Sequence, residues 1–481
     1  MYVQQKNLMG GMFVNFIKNY FNPQHLVPKE HRLADDMPTS KEVLHSTMAV
    51  AWPAIVESFL VALVSLVDNM MVSGIGPAAI AAVGLSTQPR FVLLALFMSL
   101  NVGITSVVAR RKGEMNQASA NHVLSSALKI VIVGSIIATV LGILVSEPAM
   151  KFMGAQEDSL EYAVTYFEIL VCGMLFNTVS LAITAAQRGC GNTKISMYTN
   201  IAANLVNLVG NWLLINGNLG FPRWGVAGAA LATVIGQFVA MCMAIGSLCK
   251  KDGFLNIKGI LKPVKDERNN PSMMTVAVSA ATEQVFMRIG FIIFNKIAAG
   301  LGTVPYATHQ VCQNFMTVSF SFGDGLSIAA SSLVGQNLGK GRPDFSLLYG
   351  KISQRIGLIF GVSLTVFFLS LRHVLLIPFS TDPSMVTMGA SIMIILAFIC
   401  PGQISQVVYS GALRVAGDAK FVARTSLICI TFVRTFVAWL FCYPLGFGII
   451  GIWFGFIADQ YLRLILNMGR FWKGKWMQMQ L

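Results

Sequence analysis

The sequence predicts an all-α integral membrane protein of twelve transmembrane helices in two six-helix bundles related by a pseudo-two-fold axis along the membrane normal. Its 481 residues are 55% hydrophobic and only 12% charged, where a soluble domain carries about 25% charge. The mean hydropathy is +0.65. A soluble enzyme of this length would lack the polar surface it needs, and a disordered or fibrous chain is excluded on the same ground. One helix crosses a bilayer with about twenty apolar residues. Apolar runs bounded by turns or charges fall at 47–74, 86–109, 121–146, 162–187, 195–217, 226–249, 274–299, 311–336, 352–377, 387–413, 421–443 and 448–470.

The formal charge is +14, and its distribution sets orientation. The tail, every second loop and the carboxyl end carry the basic residues, among them Lys41, Arg110, Arg111, Lys112, Arg188, Lys194, Lys251, Lys262, Lys340, Arg342, Arg414, Lys420, Arg470 and Lys473. The alternate loops hold little beyond Lys151, Arg223 and Arg372. The positive-inside rule then places both termini in the cytoplasm, and the expected location is the cell inner (plasma) membrane, crossed several times. No basic stretch alternates with exposed aromatics, so nucleic acid is not an expected partner. The expected partners are the bilayer and a small molecule, and the expected state is a monomer without a cofactor.

Residues 1–45 read as a cytoplasmic tail, in which Met12–Phe21 could lie on the membrane surface as an amphipathic helix. The run Leu8–Phe16 is short and no small-residue cleavage site follows it, so it does not read as a signal peptide. Cys172, Cys190, Cys242, Cys249, Cys312, Cys400, Cys429 and Cys442 lie in or at the ends of apolar runs, with no CxxC pair. They read as small core residues rather than disulfides or metal ligands.

An internal repeat organises the rest. Shifted by 226, Glu57 meets Glu283, ARRKGE meets the GKG turn at 339–341, and QRGCGNTK at 187–194 meets LRVAGDAK at 413–420. With a shift of 223, GVAGAALATVIGQ meets GIIGIWFGFIADQ. This predicts bundles over 46–249 and 273–470, a cytoplasmic linker at 250–272 and a second tail at 471–481. Six helices per half is even, so both halves share one orientation, a design suited to alternating access around a midplane site. The glycine-containing basic turns need no chemistry beyond tight turning and orientation.

Charged and amide side chains within a span are costly and mark function by default. The first span carries Glu57, Ser65 and Asp68 at offsets of eight and eleven, one helical face. The fifth carries Asn200, Asn204, Asn207 and Asn211 at offsets of four, seven and eleven. The fourth carries Asn177, Ser180, Thr184 and Gln187, and the sixth Thr233. Such stripes also serve as interhelical hydrogen-bond glue. Asp68, Asn207, Asn211 and Thr233 form a hard-oxygen set suited to Na⁺ or to a proton held on the carboxylate. Glu57, Asn177, Asn204, Glu283, Gln284, Gln313, Asn314 and Gln403 are candidates to line a substrate cavity. Arg434 or Arg288 could pair with a carboxylate, without a pairing legible from sequence.

The run PAIVESFLVALVSLVDNMMVSGIGPAAIAAVGL, the ARRKGE turn, QRGCGNTK, GVAGAALAT and LRVAGD resemble the multidrug and toxic compound extrusion (MATE) family over about 45–470. Within it they resemble the branch of DNA-damage-inducible bacterial members. The resemblance implies a secondary antiporter that expels organic, often cationic, compounds against entering Na⁺ or H⁺. It implies that Asp68 is the coupling carboxylate, with Asn207, Asn211 and Thr233 completing an amino-lobe cation site. Some members have Asp where Asn211 stands. Carboxylates used by other members in the second lobe fall on Gln403 and near Met287, with Glu283 one turn away, so a second-lobe site is absent or displaced. Among alternatives, a flippase for lipid-linked sugars would need a strongly cationic cavity, for which Arg90, Lys129, Arg288, Lys296 and Arg434 are available. A membrane-embedded transferase or protease would need an HExxH, a GxSxG or a histidine cluster, and the sequence has none. The chain is therefore not expected to be an enzyme.

Overall fold

The computed structural model describes residues 19–33, 37–73, 77–250, 253–261, 269–379 and 383–479. Twelve long helical segments follow one another. In the first half they are α1 (Ser40–Ser73), α2 (Pro77–Gly113), α3 (Gln117–Leu144), α4 (Glu157–Cys172, then Met174–Gly189), α5 (Thr193–Asn216) and α6 (Gly225–Leu248). In the second they are α7 (Asn269–Ala299), α8 (Thr303–Gly339), α9 (Pro343–Leu371), α10 (Pro383–Leu413), α11 (Ala419–Ser426, a π-helical stretch Leu427–Arg434, then Thr435–Cys442) and α12 (Ile449–Trp472). Eight helical stretches are long and apolar enough to cross a membrane, nine if the bent pair in α4 counts as one span. One of these stretches, Pro383–Cys442, contains both α10 and α11. Helices α5 and α8 fall outside that set because the asparagine ladder of one and the Gln310–Asp324 polar face of the other lower their hydropathy.

The duplication is visible in the backbone. The bounds of α2 and α8 differ by 226 at both ends, as do those of α5 and α11. The turns repeat too. Gly191 and Gly417, 226 apart, have φ of 84° and 100°, and Met115 and Gly341, also 226 apart, have φ of 56° and 70°. Glycine enters this left-handed region freely, whereas a side chain there costs about 1–2 kcal/mol. The first half thus keeps a strained methionine where the second half has glycine.

By contacts the chain divides into two units. One contains Pro53–Arg288 with Ala419–Arg424, and the other contains the residues up to Trp52, Ile289–Asp418 and Thr425–Gln480. The halves of the repeat and the units of contact therefore part company within α1 and α7. Two interactions show why the chain's start falls where it does: Ser46 Oγ donates to Tyr349 Oη at 3.2 Å, and Lys351 Nζ donates to the Leu26 carbonyl at 2.7 Å. The expected surface helix over Met12–Phe21 lies largely outside the described residues, while Pro23–Leu26 forms a short helix capped by Asn22.

In the first unit α5 and α6 pack closely through small residues. A Cβ at Gly228 would stand 2.5 Å from the Leu214 carbonyl oxygen, and one at Gly236 would stand 2.6 Å from that of Ala203. Small residues at a crossing let backbones approach where lipid offers no hydrophobic drive. Phe97, Ile104, Val108, Leu124, Ala182 and Ile183 are part of this unit's main core. The second unit buries Phe294, Phe368, Trp453 and Phe456 around an ion triad. Asp459 pairs with Arg434 and with Arg463 at 2.8 Å, all three buried. The Arg434 guanidinium also lies 4.5 Å from the Phe456 ring centroid. All eight cysteines are free.

Two outcomes are expected. Met115 is 70% exposed, so Met115→Gly relieves strain without a packing loss and raises the melting temperature by an amount equivalent to at most about 1 kcal/mol. Met115→Ala, which keeps the Cβ, leaves it unchanged. Asp459→Asn leaves two buried guanidinium groups without a counter-charge and costs about 3–5 kcal/mol, read as a loss of folded protein in detergent thermal melts. Arg463→Met, which keeps one neutral pair, costs less.

Candidate cation site

The site is set by the α1–α5 contact. Asp68 and Glu57 stand three turns apart on α1, and α5 presents one side-chain row to both. At the first level Glu57 is 6% exposed and accepts from Ser196 Oγ at 2.8 Å and Asn200 Nδ2 at 2.6 Å. Arg188 lies 3.5 Å away. This carboxylate has a cation and two neutral donors, so it is held as a structural tie.

Asp68 differs. Asn211 Nδ2 donates to its Oδ1 at 2.9 Å. With the Asn207 amide turned so that both its ends are satisfied, its nitrogen donates to Asp68 Oδ1 at 2.8 Å and approaches Oδ2 at 3.2 Å. The Asn207 oxygen then accepts from Thr233, whose Oγ1 lies 3.0 Å and backbone nitrogen 3.1 Å away. Asn207 and Asn211 are buried, at 6% and 2% exposure. Among the described residues no cation forms an ion pair with Asp68. Its charge is met by amide dipoles alone, a poorer compensation than an ion pair. The Asn211 Oδ1 is buried with no hydrogen-bond partner among the described residues, an uncommon state for such an atom. A carboxylate without a counter-ion beside an unused amide oxygen is a donor set that a small hard cation fits.

The structure thus brings Asp68, Asn207, Asn211 and Thr233 into one network and places Glu57 in another. The Ser65 side chain lies outside the described ones. Asn177, Asn204 and Gln284 are partly buried, and Asn314 is exposed. Glu283 and Gln403 are buried. Gln313 lies 3.3 Å from the buried His309. These residues do not converge on Asp68 through any hydrogen bond among the described residues. Sequence reasoning passes over Ser196, although it stands four residues before Asn200 and extends the same row. It also passes over Tyr166 of α4, which packs on the Ala79, Ile215, Val226 and Ala229 cluster.

The second half has no copy of this site. The 226 shift carries Asp68, Asn207 and Asn211 onto Phe294, Val433 and Val437, and the 223 shift carries Thr233 onto Phe456. Phe294 and Phe456 pack edge to face with ring centroids 4.7 Å apart. An aromatic pair fills the place that the carboxylate and its amides hold in the first half.

Comparison with known proteins agrees with this layout. The family model MatE matches residues 53–213 and again 280–440. A protein described as the uncharacterized transporter YisQ of Bacillus subtilis is 25% identical, over 90% of this chain and 95% of its own. The probable multidrug resistance protein NorM of Thermotoga maritima is also 25% identical, over 90% and 93%. Among solved structures, the outward-facing conformation of a multidrug resistance MATE family transporter superposes with a TM-score of 0.84 at 20% identity, over 90% of this chain and 97% of that one. A MOP superfamily transporter from Pyrococcus furiosus gives 0.84 at 19%, over 91% and 97%. At such identities these structures speak to the fold alone.

Each of Asn207→Ala and Asn211→Ala removes a charge-assisted hydrogen bond worth about 1.5–3 kcal/mol from Asp68. Each is expected to lower the melting temperature at neutral pH. The double variant is expected to lose less than the two single losses together, since both amides act on one carboxylate. Additive losses would show that the amides work independently of Asp68.

Proposed function

The chain belongs to the MatE family, and on that premise we propose that it is a secondary antiporter exporting organic compounds, cationic or amphipathic, in exchange for Na⁺ or H⁺. The observation that carries this reading is Asp68, held inside a span by two amides and, among the described residues, by no cation. Burial disfavours an ionised carboxylate, and a bound cation restores the balance. An entering proton needs only a lone pair on Asp68. An entering Na⁺ needs amide oxygens, which Asn211 has free and Asn207 supplies by turning over. In either case the α1–α5–α6 contact is remade when the ion arrives or leaves.

That remaking is the proposed coupling step. The ion shifts the balance between outward- and inward-open states only by its differential affinity for them. A site whose hydrogen bonds must be exchanged for ion contacts supplies such a difference. Exported compound and ion then compete for the charge of Asp68 as the two bundles rock. Thr233, tied to Asn207, transmits the change to α6.

The cation-rich cavity of a sugar-lipid flippase is less well served. Arg434, one of the five cations available for it, is spent on Asp459. The proposed setting is the bacterial inner membrane, with both termini in the cytoplasm and the monomer as the working unit. No cofactor is required.

The test is efflux from inverted vesicles under an imposed Na⁺ gradient and, separately, a pH gradient. Asp68→Asn preserves size and insertion and is expected to abolish gradient-driven efflux. Normal drug resistance from that variant in an efflux-deficient host would refute the reading.

A further inference from the structure

Helix α4 bends by 46° between its two segments, Ser159–Cys172 and Met174–Gly189. The bend sits at Gly173, where a Cβ would stand 2.5 Å from a Val234 methyl of α6. Beside the first segment, a cavity of about 160 Å³ opens between α2 and α4. Ser86, Thr87, Arg90, Phe91, Tyr166 and Leu170 line it.

Arg90 is the unusual member. It lies near the middle of α2, partly buried, where an unpaired cation is expensive. Its one polar partner among the described residues is neutral. With the amide of Gln237 in the orientation that satisfies both its ends, its oxygen accepts from Arg90 at 2.9 Å and its nitrogen donates to the Gly173 carbonyl at 3.2 Å. A guanidinium carries five donors, and Arg90 is one of the residues lining the cavity. No carboxylate pairs with Arg90 among the described residues. Tyr166 adds a hydroxyl with no hydrogen-bond partner among them. A second cation, Arg288, lies 5.1 Å from the Phe91 ring centroid and is likewise without an ion pair among the described residues. Phe91 thus lines the cavity together with Arg90 and has the Arg288 guanidinium over its ring.

We propose that the Arg90 cavity is a subsite for a carboxylate on the exported compound, so that this protein favours aromatic zwitterions over plain organic cations. The inference rests on the antiporter reading and refines its substrate class. The volume suits a carboxyl group and the edge of a ring, being smaller than the roughly 300–1,000 Å³ of a site for a whole drug-sized molecule. Arg90 supplies the planar fork that matches a carboxylate, Tyr166 a further donor, and Phe91 a face for the attached ring. The rest of the molecule would lie outside this cavity.

The test compares a rhodamine free acid with its methyl ester, two dyes that differ in whether one carboxyl is charged. Binding is measured by fluorescence polarisation on the full-length protein in phosphatidylcholine nanodiscs, so the result does not depend on ion coupling. The free acid is expected to bind at least about tenfold tighter than the ester. Arg90→Gln is expected to erase that difference while leaving ester binding as it was, and Arg90→Lys to restore part of it. Equal binding of the two dyes to the unmodified protein overturns the proposal. So does an Arg90→Gln variant that loses both dyes alike, which would mark Arg90 as a packing residue. Competition by phosphatidylglycerol at nanodisc levels that displace the free acid would assign the cavity to a lipid headgroup instead, and also overturns it. Loss of gradient-driven efflux in Asp68→Asn bears on the antiporter reading and leaves these binding outcomes untouched.

Discussion

A polar group inside a bilayer must find its partner within the protein, because no water is there to supply one. That constraint explains where the ionisable residues of this chain went. Asp459 is enclosed by Arg434 and Arg463. Glu57 has Ser196, Asn200 and Arg188. Each of these carboxylates is neutralised by a nearby cation, and each makes a lasting tie between helices. Among the described residues Asp68 receives hydrogen bonds from amides only. A carboxylate whose compensation is dipolar can exchange its partners for a cation at modest cost, which a completed ion pair cannot.

Much of this was legible in the residues. The apolar runs gave twelve spans, and the constant offset between motifs gave the duplication, because bilayer thickness and repeat length leave little freedom. The asparagine ladder was legible because a helix brings every third or fourth residue to one face, though the row divides between a tie to Glu57 through Asn200 and the Asp68 network through Asn207 and Asn211. The α1 face could be read for the same reason. What could not be read depends on contacts between distant residues. The pairing of Arg434 with Asp459 spans two helices, and the composition offered several other acids. The bend of α4 has only a glycine as its local signal, and the chain holds 43 of them. The π-helical stretch in α11 has no counterpart in α5, although the bounds of the two helices match. The docking of residues 19–33 on α9 follows from Lys351 reaching a backbone carbonyl, which no side-chain pattern announces.

The duplicated halves have also diverged in what they hold. Where one has Asp68, the other has Phe294, and where one has Thr233, the other has Phe456. The aromatic pair is fully buried and in edge-to-face contact, at the place where the first half has a carboxylate without an ion pair among the described residues. A duplication of this kind leaves one half free to specialise in holding shape.

That asymmetry has an energetic corollary for antiport. In the proposed antiport through Asp68, a single carboxylate would carry one monovalent ion per cycle. Traded against a compound of single positive charge, the exchange is electrically silent, and the compound's outward concentration ratio can rise no higher than the ion's inward ratio. Traded against a compound of zero net charge, the same ion brings the membrane voltage with it, about 2.3 kcal/mol per 100 mV. The charge of the cargo, rather than any change in the protein, then decides whether voltage contributes to extrusion.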